Sequence, residues 1–149
     1  MTQIPQKAEF QVTVKVELHA EAEGDQAAFG ILGHQYTYLA LCRNEENNVL
    51  VLREGMVTES VGAGEANEKI LKQIPWNSNT VWIRITMWKS AMYEYEYSEN
   101  GKDYCKMDGE EQFQASPCTW TGMKLVLAVW NIKNRTSTGW ADIDFIRFE

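Results

Sequence analysis

From Phe10 onward the chain alternates, with Phe10, Val12, Val14, Val16 and Leu18 apolar and Gln11, Thr13, Lys15 and Glu17 polar. Successive side chains of a strand point to opposite faces, so this period of two predicts a strand over 10–18 with one buried face. The same period recurs almost everywhere. After an acidic turn at Gly24 and Asp25, residues 28–32 and 35–42 read as two strands joined near Gly33 and His34. A polar turn over 45–48 leads into the apolar run 49–52. Glycines at 62 and 64 interrupt the pattern, and residues 66–73 fit a helical turn or an edge strand, of which the strand is preferred. A turn is expected over 75–79. Val81, Ile83, Ile85 and Met87 then share one face while Trp82, Arg84, Thr86 and Trp88 share the other. Residues 92–98 alternate Tyr93, Tyr95 and Tyr97 against Glu94 and Glu96.

These last two segments predict a hairpin with a three-residue loop at 89–91. That register sets Trp88 opposite Met92, Thr86 opposite Glu94 and Arg84 opposite Glu96, bringing opposite charges together across the strands. Asn100 and Gly101 are the residue types of a tight type I′ turn, which would set Tyr97 opposite Tyr104 in a second hairpin. Residues 123–132 are apolar on both faces and are expected in the middle of a sheet, with 141–148 as the closing strand. Roughly nine or ten short strands separated by frequent turns predict an all-β fold: two antiparallel sheets stacked as a β-sandwich. At 149 residues, 44% hydrophobic and 23% charged, the chain suits one globular domain and not a disordered one.

Charge narrows the partners. Fourteen Lys and Arg against 21 Asp and Glu leave a net charge of −7 with no basic stripe, which argues against nucleic acid. No run approaches the roughly 20 apolar residues of a membrane helix, and residues 1–7 lack the apolar core of a signal peptide. The acidic clusters at 21–25 and 108–111 read as solvated turns. Three cysteines, Cys42, Cys105 and Cys118, have neither metal-site spacing nor an even count, so idle thiols are expected and one disulfide stays open.

Sugars present apolar C–H faces rimmed by hydroxyls, so a glycan site needs aromatic planes beside polar partners. Trp82, Trp88, Arg84, Glu94 and Glu96 project from one face of the predicted hairpin and form such a set. The two tryptophans have no core role, and three readings stay open: stacking on sugar rings, packing on another domain, or cover by a local loop. Tyr93, Tyr95 and Tyr97 are read as core residues between the sheets, and so is Trp130. Trp120 and Trp140 precede strands beside polar loops, which makes them candidate ligand contacts or a lid over one end of the sandwich. A small glycosidase needs two carboxylates, and Glu94 and Glu96 share a face, but Arg84 opposite Glu96 points to a salt-bridged surface instead. The run Asp142-Ile143-Asp144-Phe145-Ile146-Arg147 imitates a sandwich-glycosidase Glu-x-Asp-x-x-Glu motif, yet Arg147 stands at the second acid. His19 and His34 have no nucleophile or acid motif beside them and read as surface residues. Asp142 and Asp144 are candidate ligands of a structural calcium ion, the alternative being hydrogen-bonded surface acids.

Several segments resemble one family. They are Ala28-Phe29-Gly30-Ile31-Leu32-Gly33 followed by Tyr36-Thr37-Tyr38-Leu39-Ala40-Leu41, the strand Val81-Trp82-Ile83-Arg84-Ile85, and the hairpin from Tyr93 to Gly101. Trp120-Thr121-Gly122-Met123-Lys124-Leu125 and Gly139-Trp140-Ala141-Asp142-Ile143-Asp144-Phe145 complete the set. From about Phe10 to its end the chain resembles the C-terminal concanavalin A-like jelly-roll sandwich of glycoside hydrolase family 43 β-xylosidases and α-arabinofuranosidases. In that family a five-bladed propeller carries the catalytic carboxylates, and nothing here resembles it. The resemblance therefore implies a noncatalytic accessory module spanning 1–149, with plant cell-wall polysaccharide such as xylan or arabinoxylan and a catalytic domain as partners. It also implies a loop aromatic reaching toward the active site, for which His34, Gln35 and Tyr36 are the candidate region. Tyr36 thereby joins Trp82, Arg84, Trp88, Glu94, Glu96 and Trp140 as an expected sugar contact. No cofactor beyond the calcium ion is implied.

Overall fold

The computed structural model describes residues 1–3, 8–56, 68–107, 112–117 and 122–149. Two antiparallel sheets stack face to face. Sheet A contains β1 (Thr2–Gln3), β3 (Asp25–Leu32), β4 (Gln35–Asn44), β5 (Asn47–Met56), β6 (Lys69–Trp76) and β11 (Lys124–Asn131), in the spatial order β1-β11-β3-β4-β5-β6. Sheet B contains β2 (Phe10–His19), β7 (Thr80–Met87), β8 (Met92–Ser98), β10 (Phe113–Gln114) and β12 (Trp140–Phe148), in the order β10-β8-β7-β2-β12. The short β9 (Cys105–Lys106) also pairs with β8. The all-β sandwich predicted from the period of two is what forms. No helix among the described residues is long and apolar enough to cross a membrane.

The alternation explains the core. Val12, Val14 and Val16 of β2 and Val81, Ile83 and Ile85 of β7 are buried on sheet B and meet Phe29, Leu39, Leu41, Leu50 and Leu52 of sheet A. Tyr93 and Tyr95 are buried between the sheets as predicted, and Tyr97 is packed against their margin. The Tyr95 hydroxyl donates to the Thr37 carbonyl at 2.8 Å and accepts the Ile31 N–H at 3.2 Å, so a side chain of β8 closes hydrogen bonds on β3 and β4 of the opposite sheet.

The β7–β8 hairpin has the predicted register, with Arg84 opposite Glu96 and Thr86 opposite Glu94. Its three-residue loop closes through Trp88 N–H to Met92 O at 2.9 Å, and Ala91 takes the left-handed position at φ 61°. Residues 69–73 of the ambiguous 66–73 stretch belong to an edge strand, while 66 and 67 lie outside the described residues. That strand runs through Pro75, where a turn was expected, because an edge tolerates a missing N–H.

Two expectations are corrected. Asn100-Gly101 is not a two-residue turn: only Gly101 has positive φ (71°), and Tyr97 pairs with Cys105 and not with Tyr104. The Asn100 Oδ1 accepts the N–H groups of Lys102 and Asp103, and the Ser98 Oγ accepts those of Asn100 and Gly101, so local side chains build a longer loop. The second correction concerns β11, which is not central. Among the described residues its outer neighbour β1 is two residues long and pairs with Leu125 and Val126, with Met1 bonded to Leu127, so the strand opens to solvent beyond Leu127. Trp130, expected in the core, stands 36% exposed there on the outward face.

Candidate functional site

The outward face of sheet B gathers five of the seven expected sugar contacts. Trp82 and Arg84 on β7 and Glu94 and Glu96 on β8 alternate with inward residues, and Trp88 follows β7 at the hairpin end. Their charges are mutually satisfied. Arg84 Nε lies 2.7 Å from Glu96 Oε2, and the guanidinium stacks 3.7 Å from the centre of the Tyr104 ring. The hydrogen bond to Glu96 raises the Arg84 pKa still further, against a smaller opposing effect of burial. Glu94, only 7% exposed, pairs with Lys106 Nζ at 2.7 Å. The face is thus the salt-bridged surface that Arg84 opposite Glu96 predicts, and each carboxylate of the glycosidase hypothesis is tied to a cation.

Trp82 and Trp88 are both half-buried. For Trp82 much of the cover is local: Gly101 lies on the indole so closely that a Cβ there would come within 2.7 Å of Nε1, and Lys15 Nζ approaches the ring to 5.3 Å. Gly101→Ala should therefore cost about 1–2 kcal/mol, from the left-handed backbone and the lost stacking, visible as a lower Tm and a changed near-ultraviolet tryptophan signal.

Trp140 occupies one end of the same sheet. It is 49% exposed and stacks on His19 with ring centres 3.8 Å apart and planes 14° apart. His19, expected as an isolated surface residue, is held under that indole and faces Asp142 at 3.4 Å and Glu17 at 3.6 Å. Asp144 pairs with Lys15. The two candidate calcium ligands thus turn to different side chains, and among the described residues no three His, Cys, Asp or Glu side chains converge on a metal position. Trp120 and Cys118 lie outside the described residues. Cys42 is buried, which raises its thiol pKa, and Cys105 is exposed; both are free thiols.

Tyr36 is separated from all of these on the outward face of sheet A. It forms there a set that the sequence reading missed, with Tyr38, Arg53, Glu68 and Trp130. The Tyr36 hydroxyl donates to Glu68 Oε1 at 2.9 Å and the Tyr38 hydroxyl to Glu68 Oε2 at 2.8 Å. Arg53 approaches Tyr38 at 3.4 Å and Glu68 at 4.0 Å. Burial and the Glu68 carboxylate push the Tyr36 hydroxyl pKa up. Burial, opposed by Arg53 and reinforced by Glu68, pushes that of Tyr38 up to about 12. Both hydroxyls therefore remain donors at neutral pH. The available signal was the turn at 45–48: with Asn44 opposite Asn47, the strand pairing places Arg53 beside Tyr38.

The family model of the β-xylosidase C-terminal concanavalin A-like domain matches residues 2–149. A comparison with curated proteins gave no match. Among solved structures, a bifunctional GH43-CE protein from Bacteroides eggerthii superposes with TM-score 0.81 at 16% identity, covering 99% of this chain and 18% of that one. A GH43 protein from Bacillus licheniformis superposes with TM-score 0.74 at 18% identity, over 99% of this chain and 28% of its own. For the xylan β-1,4-xylosidase from Bacillus halodurans C-125 the values are 0.75 and 17%, over 99% and 29%. At such identities the likeness concerns the fold alone. The chain spans less than a third of the length of each of these structures.

Proposed function

Because the chain belongs to the β-xylosidase C-terminal concanavalin A-like domain family, we propose that it is the noncatalytic accessory sandwich of a hemicellulose-degrading enzyme. In this reading it packs on a catalytic domain and contacts xylan or arabinoxylan. The observation that carries the noncatalytic part is the engagement of Glu94 by Lys106 and of Glu96 by Arg84 on the outward face of sheet B. Glycoside hydrolysis asks such a pair to act as proton donor and nucleophile or base, roles that two cation-locked carboxylates on a flat face are poorly placed to perform. Exposed aromatic planes beside hydrogen-bonding groups support the sugar-contact part. A second reading, a structural sandwich that meets only protein, draws support from the charge-paired face of sheet B with its half-buried tryptophans, which suits a polar interdomain contact.

Affinity electrophoresis separates the two. Soluble arabinoxylan, but not dextran, should retard the protein, and incubation with xylan should release no reducing sugar. Unchanged migration in arabinoxylan would favour the structural sandwich. Hydrolysis abolished by Glu94→Gln or Glu96→Gln would overturn both readings.

A further inference from the structure

We infer that the outward face of sheet A is a binding site for a neutral pyranose unit, with Tyr36 and Trp130 as its stacking surfaces. This rests on the carbohydrate reading above and places its contact away from the Trp82 face. Strand register sets Trp130 opposite Gln26 and Ala128 opposite Ala28 on β3, Gly30 opposite Tyr38 on β4, and Tyr36 opposite Gly55 on β5. Large aromatic side chains therefore rise around a floor of Ala28, Gly30 and Ala128. Between them lies a recess of about 70 Å³ whose walls include Ala28, Tyr36, Tyr38, Val126 and Trp130. That is roughly half of the ~150 Å³ of a cavity that takes up a benzene ring, so the recess admits the C–H edge of a sugar and leaves the rest of the ring outside.

The aromatics are held in place. A Cβ at position 55 would come within 2.3 Å of the Tyr36 ring, so this ring lies against the β5 backbone where only glycine leaves room. Tyr36 and Tyr38 have planes within 5° of each other and centres 6.4 Å apart, and Trp130 meets Tyr38 edge-on at 5.5 Å. Both phenol groups are anchored on Glu68, whose two oxygens each keep a lone pair for a further donor. The charges of Arg53 and Glu68 offset each other, which favours a neutral ligand over an anion or a cation.

A further observation concerns two polar groups next to this recess. Gln26 is completely buried on this face beside Trp130, and neither its Oε1 nor its Nε2 has a hydrogen-bond partner among the described residues. The Nε of Arg53 is likewise unpaired. Buried polar groups are almost always satisfied, and these two stand behind the recess, Gln26 across from Trp130 and Arg53 across from Tyr38, so a ligand hydroxyl that parts those aromatic walls gains two ready partners. The sheet B face offers the contrast, with its cations paired and Trp82 under Gly101.

The test is a calorimetric titration of the 149-residue protein with xylohexaose, with Tm measured on every variant to confirm folding. Trp130→Ala and Gln26→Leu should each weaken binding about tenfold, while Trp82→Ala stays within about twofold of the parent. Gln26→Leu guards against a merely structural role: an apolar replacement of an unsatisfied buried amide should leave Tm level or raise it, so weaker binding there reports a lost ligand contact. Gly55→Ala should also weaken binding, by tilting Tyr36. Retained affinity in Trp130→Ala and Gln26→Leu, with loss in Trp82→Ala, would overturn this site and leave the carbohydrate reading standing. Absence of xylohexaose binding by the parent protein at millimolar sugar would remove the site, and arabinoxylan retardation in the gel would then show whether the broader reading survives.

Discussion

Tyr95→Ala should cost about 4 kcal/mol, enough to leave a domain of this size marginally folded at 25 °C. The ring is fully buried between the sheets, in edge contact with Tyr93 at 5.9 Å and Phe113 at 6.0 Å, so truncation opens a cavity that rigid strands cannot close. Tyr95→Phe separates the other half of the effect. It keeps the ring and removes the oxygen that bonds the Ile31 N–H and the Thr37 carbonyl, leaving buried backbone groups unpaired at a cost of about 1–3 kcal/mol. Urea unfolding of the parent and both variants measures this directly, with the midpoint falling in the order parent, Phe, Ala. If Phe matched the parent, the idea that this hydroxyl ties sheet B to sheet A would be wrong.

The second large effect is expected at Asp25, which joins the turn before β3 to the loop between β11 and β12. Its carboxylate accepts the N–H groups of Glu21 and Ala22, the Ser137 hydroxyl and the Asn131 amide, all at 2.7–2.8 Å. Burial raises the carboxyl pKa, but the hydrogen bonds from Ser137, Ala22, Asn131 and Glu21 outweigh it and hold the group below its ordinary value of 3.8. A depressed carboxyl pKa stabilises the fold fully above the unfolded value, and the contribution is lost as pH falls through the folded value. Asp25→Asn, which presents one acceptor oxygen where four donors converge, should lose about 2–3 kcal/mol at pH 7. The gap between parent and variant should narrow as the pH drops below about 4, because protonation then removes the same charge from the parent. A gap that stayed constant down to pH 2 would assign the loss to shape and not to charge.

How far the sequence could be read depended on whether the deciding contact was near or far along the chain. The β7–β8 register was legible because a three-residue loop and the Arg84–Glu96 complement lie within one hairpin. The exposure of Trp130 was not, since it depends on how little of β11 is flanked by a strand from the opposite end of the chain. At Asn100 a side chain competed with the backbone for the same N–H groups and shifted the pairing by one residue, which pattern alone does not reveal. Tyr36 was named from the sequence, but Tyr38, Arg53 and Glu68 come to it only through cross-strand register over β4 and β5 and the Glu68 contacts. Gln26 gave no signal, because a glutamine in a strand says nothing of whether its amide finds a partner.

The outer strand β12 pairs with β2 through Ile143 and again from Phe145, and the register skips Asp144 between them. This extra residue bends the free margin of sheet B and sets a carboxylate, paired with Lys15, on it. A neighbouring strand finds no straight ladder there to extend, so edge-to-edge pairing with another strand is disfavoured along this margin.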